Sequence, residues 1–429
     1  MNQVATYILM NKNTPVLSFE YDTDIHAAYK IIECFDLKYA PPVILDMKGN
    51  VTKKSLNDWW RGRAIPASRN HIQALLDSLS IESTLELAEK NFGLSLSDRY
   101  WINDPKNPQK WADINFFDND FSDDLGLLTL GQDMSVDPNL MSPNSTLGGD
   151  LNKKWKCFNG KRVLLKAGTG LTQQEVFNEL IATRLYQRIL NDGDYVPYTL
   201  IEEGGTVFSA CENMLKEDEE LVTAYDVIAN RRKSNSMNDY QFLVSCYKEL
   251  GLSNIEQTLE KMFTCDYLLA NEDRHWRNFG VIRNVETLEY TRIAPIFDSG
   301  TSLWCRSFML DLHSSYIAKP FGSKGMSPER QLNLFSGFEW LDCSKLNSFA
   351  EDVREILSSN SNISEKRINM IVKKVEKNIL AVQNKCSHLE REHLTQTYTL
   401  DSKAEEIEKT IQQCKQPQQV INKTTEERA

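Results

Sequence analysis

The residues best suited to chemistry lie in Asn271-Glu272-Asp273-Arg274-His275-Trp276-Arg277-Asn278-Phe279-Gly280. An acid, Asp273, and an amide, Asn278, stand five positions apart, and the apolar run Ile293-Ala294-Pro295-Ile296-Phe297 later ends in Asp298-Ser299-Gly300. Phosphoryl transfer from a nucleotide needs a carboxylate near the attacking hydroxyl and oxygen ligands that hold Mg²⁺ on the phosphates. An Asp, an Asn five residues on and an Asp-x-Gly after a buried strand supply those groups in a working order. Either half alone is equally a polar helix end or an ordinary turn, with Arg274 and His275 solvated. The elements upstream must therefore decide.

Those elements begin at Asn144-Ser145-Thr146-Leu147-Gly148-Gly149-Asp150, followed by Lys153 and Lys154. Two glycines allow a backbone to approach a phosphate, and either lysine could add charge, although a plain turn has the same letters. Next, Trp155-Lys156-Cys157-Phe158 and Lys161-Arg162-Val163-Leu164-Leu165-Lys166 flank Asn159-Gly160, a strong hairpin signal. Lys166 then sits at a strand end, where a rigid strand can deliver its ammonium to α/β-phosphates. The segment from Gln173 to Leu190 repeats apolar residues at helical spacing and carries Glu175 and Glu179 one turn apart. Either could hold Lys166 in place, and Glu179 is nearer the helix middle. The run Val207-Phe208-Ser209-Ala210-Cys211-Glu212-Asn213-Met214 reads as a strand that could set main-chain groups near Glu212 against an adenine edge. Residues 239 to 270 read as helical, with Leu259, Met262, Phe263, Tyr267 and Leu268 forming a buried stripe that leads into Asn271.

The rest of the chain bounds the setting. With 429 residues, 41% hydrophobic and 25% charged, it has room for two or three domains of ordinary globular composition. A formal net charge of −11 argues against broad nucleic-acid binding, which depends on neutralising phosphates. Nine cysteines are scattered from Cys34 to Cys414 with no C-x-x-C pair, which fits free thiols in a reducing compartment. The first residues lack a charged stretch followed by an apolar one, and no run of 18 apolar residues occurs, so a cytoplasmic protein is expected.

Residues 4 to 20 predict a hairpin around Asn11-Lys12-Asn13-Thr14-Pro15, and Val43-Ile44-Leu45-Asp46 a second strand-like piece. From Lys54 to about Leu96 the pattern is helical. Within it Trp59-Trp60-Arg61-Gly62-Arg63 reads first as tryptophans anchoring a core, and second as a nucleic-acid or partner contact. Between Trp111 and Asp150 the Asp, Asn and Gly content predicts loops and Asx-turns, and the acids lack the Gly and Glu offsets of a calcium loop. After about Lys385 the chain turns charged and Gln-rich, with one modest helix over 404 to 411 and a disordered end expected.

With Lys166, Glu179, Asp273, Asn278 and Asp298 in this order, the chain resembles the HipA-like serine/threonine kinases of bacteria. These are toxin-type kinases distantly related in fold to protein and phosphatidylinositol kinases. The likeness spans about Ser145 to Phe321 and is most specific at Asn271 to Asn278 and Ile296-Phe297-Asp298. It implies an α+β, two-lobed protein-kinase-like fold, with a mixed-β small lobe at 131–217 and a mainly helical large lobe at 218–390. An accessory region would precede it at 1–130, and a charged tail would follow at 391–429. The resemblance implies ATP and Mg²⁺ as cofactors, Asp273 as catalytic base, and Asn278 and Asp298 as metal ligands. Ser145, Gly148, Gly149, Lys153, Lys166, Glu179 and Glu212 would form the ATP site, with Ser145 also a candidate for autophosphorylation. It further implies a protein substrate and a small antitoxin-like DNA-binding partner, with no direct nucleic-acid or membrane contact. Target recognition would fall to the N-terminal region and to Ser299 through Phe321. A lipid or small-molecule kinase, or a non-catalytic pseudokinase, would carry the same letters.

Overall fold

The computed structural model describes residues 4–131, 138–149, 151–308, 315–322, 325–335 and 337–388. One compact unit spans Met1–Ile379. A second begins at Leu380, and its described residues, 380–388, are helical. The expected tail at 391–429, with its helix over 404 to 411, lies outside the described residues.

The predicted hairpin forms from β1 (Val4–Asn11) and β2 (Thr14–Asp22), turning at Lys12-Asn13. Two further strands complete an antiparallel sheet in the order β3-β2-β1-β4: β3 (Ala27–Cys34) and β4 (Tyr100–Asn103). Alternation buries Leu9, Leu17, Phe19 and Tyr21 on one face. Helix α1 (Lys53–Arg63) lies against them, started by a capping box between Thr52 and Ser55. Trp60 is buried there and donates from Nε1 to the Tyr21 hydroxyl at 3.2 Å, and Trp59 packs edge-on to Tyr100. The tryptophans are thus core anchors. Helices α2 (Ile72–Leu79), α3 (Thr84–Lys90), α4 (Trp111–Ile114) and α5 (Asp124–Thr129) follow, with Asn115 closing an Asx-turn onto the amides of Phe117 and Asp118.

A second antiparallel sheet, ordered β5-β6-β8-β7, is built from β5 (Lys153–Phe158), β6 (Lys161–Lys166), β7 (Thr199–Glu203) and β8 (Thr206–Glu212). Asn159-Gly160 makes the predicted turn, with positive φ at both residues as a tight hairpin requires. Helix α6 (Gln174–Ile189) packs on this sheet. A third sheet, ordered β11-β10-β9, contains β9 (Glu219–Thr223), β10 (Gly280–Asn284) and β11 (Tyr290–Ile293). The helices of this half include α7 (Ala224–Ile228), α8 (Asp239–Glu249), α9 (Ile255–Leu268), α10 (Pro328–Leu332) and α11 (Phe349–Ser358), and residues 365 to 379 are helical as well.

Three features depart from the sequence reading. Val43–Asp46 is not a strand: Pro42–Ile44 forms a 3-10 turn, because Pro41 and Pro42 fix φ and withhold amides from a ladder. Strand β3 escapes the alternation test because its pairing with β2 breaks register twice, opposite Tyr29 and Ile32, leaving both side chains exposed. The three-stranded sheet β9–β11 stands inside the stretch expected to be mainly helical. The chain is therefore a mixed α and β protein with several antiparallel sheets.

Candidate functional site

The hairpin register decides which lysine faces where. Lys153 pairs with Lys166 and Trp155 with Leu164, so these four side chains share one face of the sheet, while Lys154 and Leu165 share the other. Lys166 is buried on its face. Its Nζ lies 2.8 Å from Glu179 Oε1 on α6 and 2.7 Å from Asp298 Oδ1. Glu179 is fixed in turn, accepting from the Ser299 amide at 3.0 Å. Glu175, the other acid on that helix, accepts from the amide and hydroxyl of Thr169. Of the two, Glu179 is the partner of Lys166. Burial opposes the Lys166 charge, but Asp298 and Glu179 outweigh it and raise its pKa well above the lysine range. Burial would likewise raise Asp298, yet Lys166 and Lys153 hold it well below the usual carboxylate range.

The Asp273–Asn278 stretch leaves α9 through Ala270, whose φ of 50° turns the chain sharply. Its geometry rests on Arg274, which is buried rather than solvated. The guanidinium pairs with Asp266 of α9 through Nε and Nη2, both at 2.9 Å. Nη1 reaches the carbonyls of Asn278 (2.8 Å) and Phe297 (2.7 Å), and Nη2 reaches Ser299 Oγ (3.1 Å). One side chain therefore ties α9, the Asp273 loop and the Asp298 segment together. Asn271 adds to it, donating to Asp266 and accepting from the Asp273 amide. The Asn278 amide nitrogen donates to the Asp273 carbonyl at 2.8 Å, which leaves the Asn278 oxygen as its second functional end. Burial raises the Asp273 carboxyl, against the pull of His275 (3.9 Å) and Arg306 (4.0 Å).

The Gly-rich stretch is held by neighbours on both sides. Asn144 exchanges hydrogen bonds with Trp155 of β5, and the Thr146 hydroxyl donates to the Leu94 carbonyl. Arg69, from the segment between α1 and α2, donates to the carbonyls of Leu147 and Gly149. Ser145 is fully buried, and its hydroxyl donates to the Leu140 carbonyl at 2.9 Å. Lys154 lies on the far face between Asp123 (2.9 Å) and Glu203 (2.8 Å).

Gly148, Gly149, Lys153, Lys166, Asp273, Asn278 and Asp298 all line one cavity of about 820 Å³, together with Glu212 at the end of β8. The Glu212 carboxylate pairs with Lys161 on the neighbouring strand. Leu164, Val196, Met214 and Phe297 give the cavity an apolar wall, and Tyr198 lies under the Lys166 ammonium, 4.9 Å from it. Of the sequence-derived site residues, Ser145 and Glu179 do not line it: Ser145 is packed beneath the loop, and Glu179 acts through Lys166. Part of the wall comes from the N-terminal region, at Arg61, Ala64, Ile65, Pro66 and Ala67.

The donor set suits a hard cation only in part. Among the described residues no three His, Cys, Asp or Glu side chains gather as a metal cage. Asn278 and Asp298 offer two oxygen-bearing side chains on one cavity, the number Mg²⁺ takes from protein when phosphates and water complete its shell.

Sequence reasoning missed Asp266 and Arg69. Asp266 sits on the apolar stripe of α9, where an acid next to a buried arginine could have signalled a pair. Arg69 meets its carbonyls across separations of 78 and 80 residues, and no local pattern announces such a contact.

No protein-family model matches the chain, and no curated protein does. Among solved structures, a Helicobacter pylori proinflammatory kinase, CtkA, is similar with TM-score 0.42 and 18% identity, over 53% of this chain and 90% of that one. The Shewanella oneidensis HipA, from a toxin–antitoxin complex with HipB and operator DNA, is similar with TM-score 0.47 and 12% identity, over 89% and 97% respectively. Among the described residues no helix is long and apolar enough to cross a membrane.

Proposed function

We propose that this chain is an ATP-dependent phosphotransferase of the HipA-like serine/threonine kinase type, acting on a protein hydroxyl. The observation that carries this reading is Lys166, held between Glu179 and Asp298 on the cavity that Asp273 and Asn278 also line. On this reading the sheet β5–β8 with α6 is the small lobe, and the region from β9 onward is the large one. ATP lies in the cavity with its base against Leu164, Val196 and Met214 and its phosphates toward Lys153, Lys166 and the Gly148–Gly149 turn.

Each side chain then has a distinct task. Glu179 keeps Lys166 protonated and aimed, so a fixed cation meets the phosphate oxygens without reorganising at the moment of transfer. Asp273 orients the acceptor hydroxyl and takes its proton, a role suited to a carboxyl raised by burial. Asn278 and Asp298 would hold Mg²⁺, which supplies charge neutralisation on the phosphates. Autophosphorylation at Ser145 requires the loop to leave its present seat, because that hydroxyl is buried. A cytoplasmic setting and a small antitoxin-like DNA-binding partner complete the proposal.

The test is incorporation of [γ-³²P]ATP into protein. The wild type should incorporate label. Asp273→Ala and Asp298→Asn should both lose it while keeping the wild-type circular dichroism. Undiminished incorporation by both variants would overturn the mechanism.

A further inference from the structure

The Gly148–Gly149 turn is fastened from outside its own sheet. Arg69 is almost wholly buried and points a planar guanidinium at the back of the turn. Its Nη2 donates to the carbonyls of both Leu147 and Gly149, the latter at 2.7 Å, and its Nε adds a bond to Gly149 O at 3.1 Å. No peptide bond here is cis. In a trans peptide the N–H lies opposite the C=O, so drawing the Leu147 carbonyl to Arg69 turns the Gly148 N–H away from it. That amide belongs to a residue lining the cavity, where an added β-carbon would meet nothing within 4 Å.

Two consequences follow. The charge behind the carbonyls polarises the peptide units and strengthens the amide as a donor. Clamping two carbonyls on one rigid fork also fixes the orientation of the turn, which a single hydrogen bond would leave free to rock. Gly149 fits this arrangement: its φ of +88° is a glycine conformation, and a β-carbon there would lie 2.6 Å from Lys153 Nζ. The segment that carries Arg69 also supplies cavity wall at Ile65, Pro66 and Ala67.

We propose that Arg69 is a positioning residue for the polyphosphate: from the N-terminal region, it holds the Gly148 amide toward the phosphates of a bound nucleotide. This rests on the nucleotide reading above and gives the N-terminal region a direct part in it. Arg69 does not touch the ligand, so its removal weakens recognition of phosphate and leaves recognition of the nucleoside unchanged.

Calorimetric titration of the full chain with ATP and with adenosine separates these effects, using wild type, Arg69→Gln and Arg69→Ala. Both variants should lose about ten- to a hundredfold in ATP affinity, the span expected for losing hydrogen bonds to a charged group. Both should bind adenosine as the wild type does, and low millimolar guanidinium should restore part of the ATP affinity of Arg69→Ala. Wild-type ATP affinity in either variant, or an equal loss for ATP and adenosine, would overturn the positioning role alone. A wild type that binds neither ligand would overturn the nucleotide reading and this inference together.

Discussion

Two lysines on adjacent strands, Lys154 and Lys166, are both buried and both lie between two carboxylates. Lys154 has Asp123 and Glu203, and Lys166 has Glu179 and Asp298, all at 2.7–2.9 Å. The chemistry of the two corners is nearly the same, and their surroundings differ. Helix α5 covers Lys154, with Gly126 so close that a β-carbon would collide with the lysine side chain, and Lys156 shares both acids. Lys166 opens on the cavity, and one of its acids, Glu179, is committed to the Ser299 amide. A buried lysine between acids is therefore no mark of function by itself. The face of the strand, set by a one-residue alternation, separates a closed structural cluster from one that can meet a ligand.

The sharpest way to break that contrast is to replace each lysine by methionine. Lys166→Met should lower phosphoryl transfer by about 10²–10³-fold, the usual loss when a preorganised cation facing the reacting group is removed. Lys154→Met should leave transfer per folded molecule unchanged and cost about 2 kcal/mol in urea unfolding, because two partly exposed carboxylates lose charged hydrogen bonds but keep Lys156. Comparable kinetic losses in both would erase the distinction.

Acid unfolding sharpens the electrostatics at the Lys166 corner. The Asp298 carboxyl is held down in the folded protein, so its stabilising contribution is fully present above the unfolded value. It is lost as the pH falls through the folded one. Below about pH 4 the stability gap between wild type and Asp298→Asn should shrink by about 1.4 kcal/mol per pH unit. A gap that does not change with pH in urea titrations would show that Lys166 and Asp298 are not paired in solution.

The smallest effect concerns Asp273. Burial raises its carboxyl and Arg306 opposes that rise, so the acid limb of the kcat/KM profile should lie above the ordinary aspartate value of about 3.9. Arg306→Ala removes an opposing charge and should move that limb further up. A limb that does not move would mean that Arg306 does not act on Asp273.

Much of the site's local grammar was legible in the sequence. Asn159-Gly160 announced the hairpin that aims Lys166, and the periodicity of Gln173 to Leu190 announced the helix that carries Glu179. The Asp273-to-Asn278 spacing marked the loop that shares their cavity. Contacts between distant segments were not legible. The anchoring role of Arg274 was not legible because its reach to Asp266, Phe297 and Ser299 depends on three segments meeting. Arg69 lay in a region expected to be accessory, yet it holds the Gly148–Gly149 turn. Strand β3 stayed hidden because two register breaks destroy the alternation that reveals a strand. Ser145 was expected in the ATP site, and only its packing, with the hydroxyl bonded to the Leu140 carbonyl, shows that it is covered.

The most direct test of the nucleotide site is calorimetric titration of ATP, with and without Mg²⁺, into the wild type and the two methionine variants. Saturable binding is expected, tightened by Mg²⁺, weakened by Lys166→Met and untouched by Lys154→Met. No binding to the wild type, or equal weakening by the two substitutions, would contradict the assignment of the Lys166 cavity as the nucleotide site.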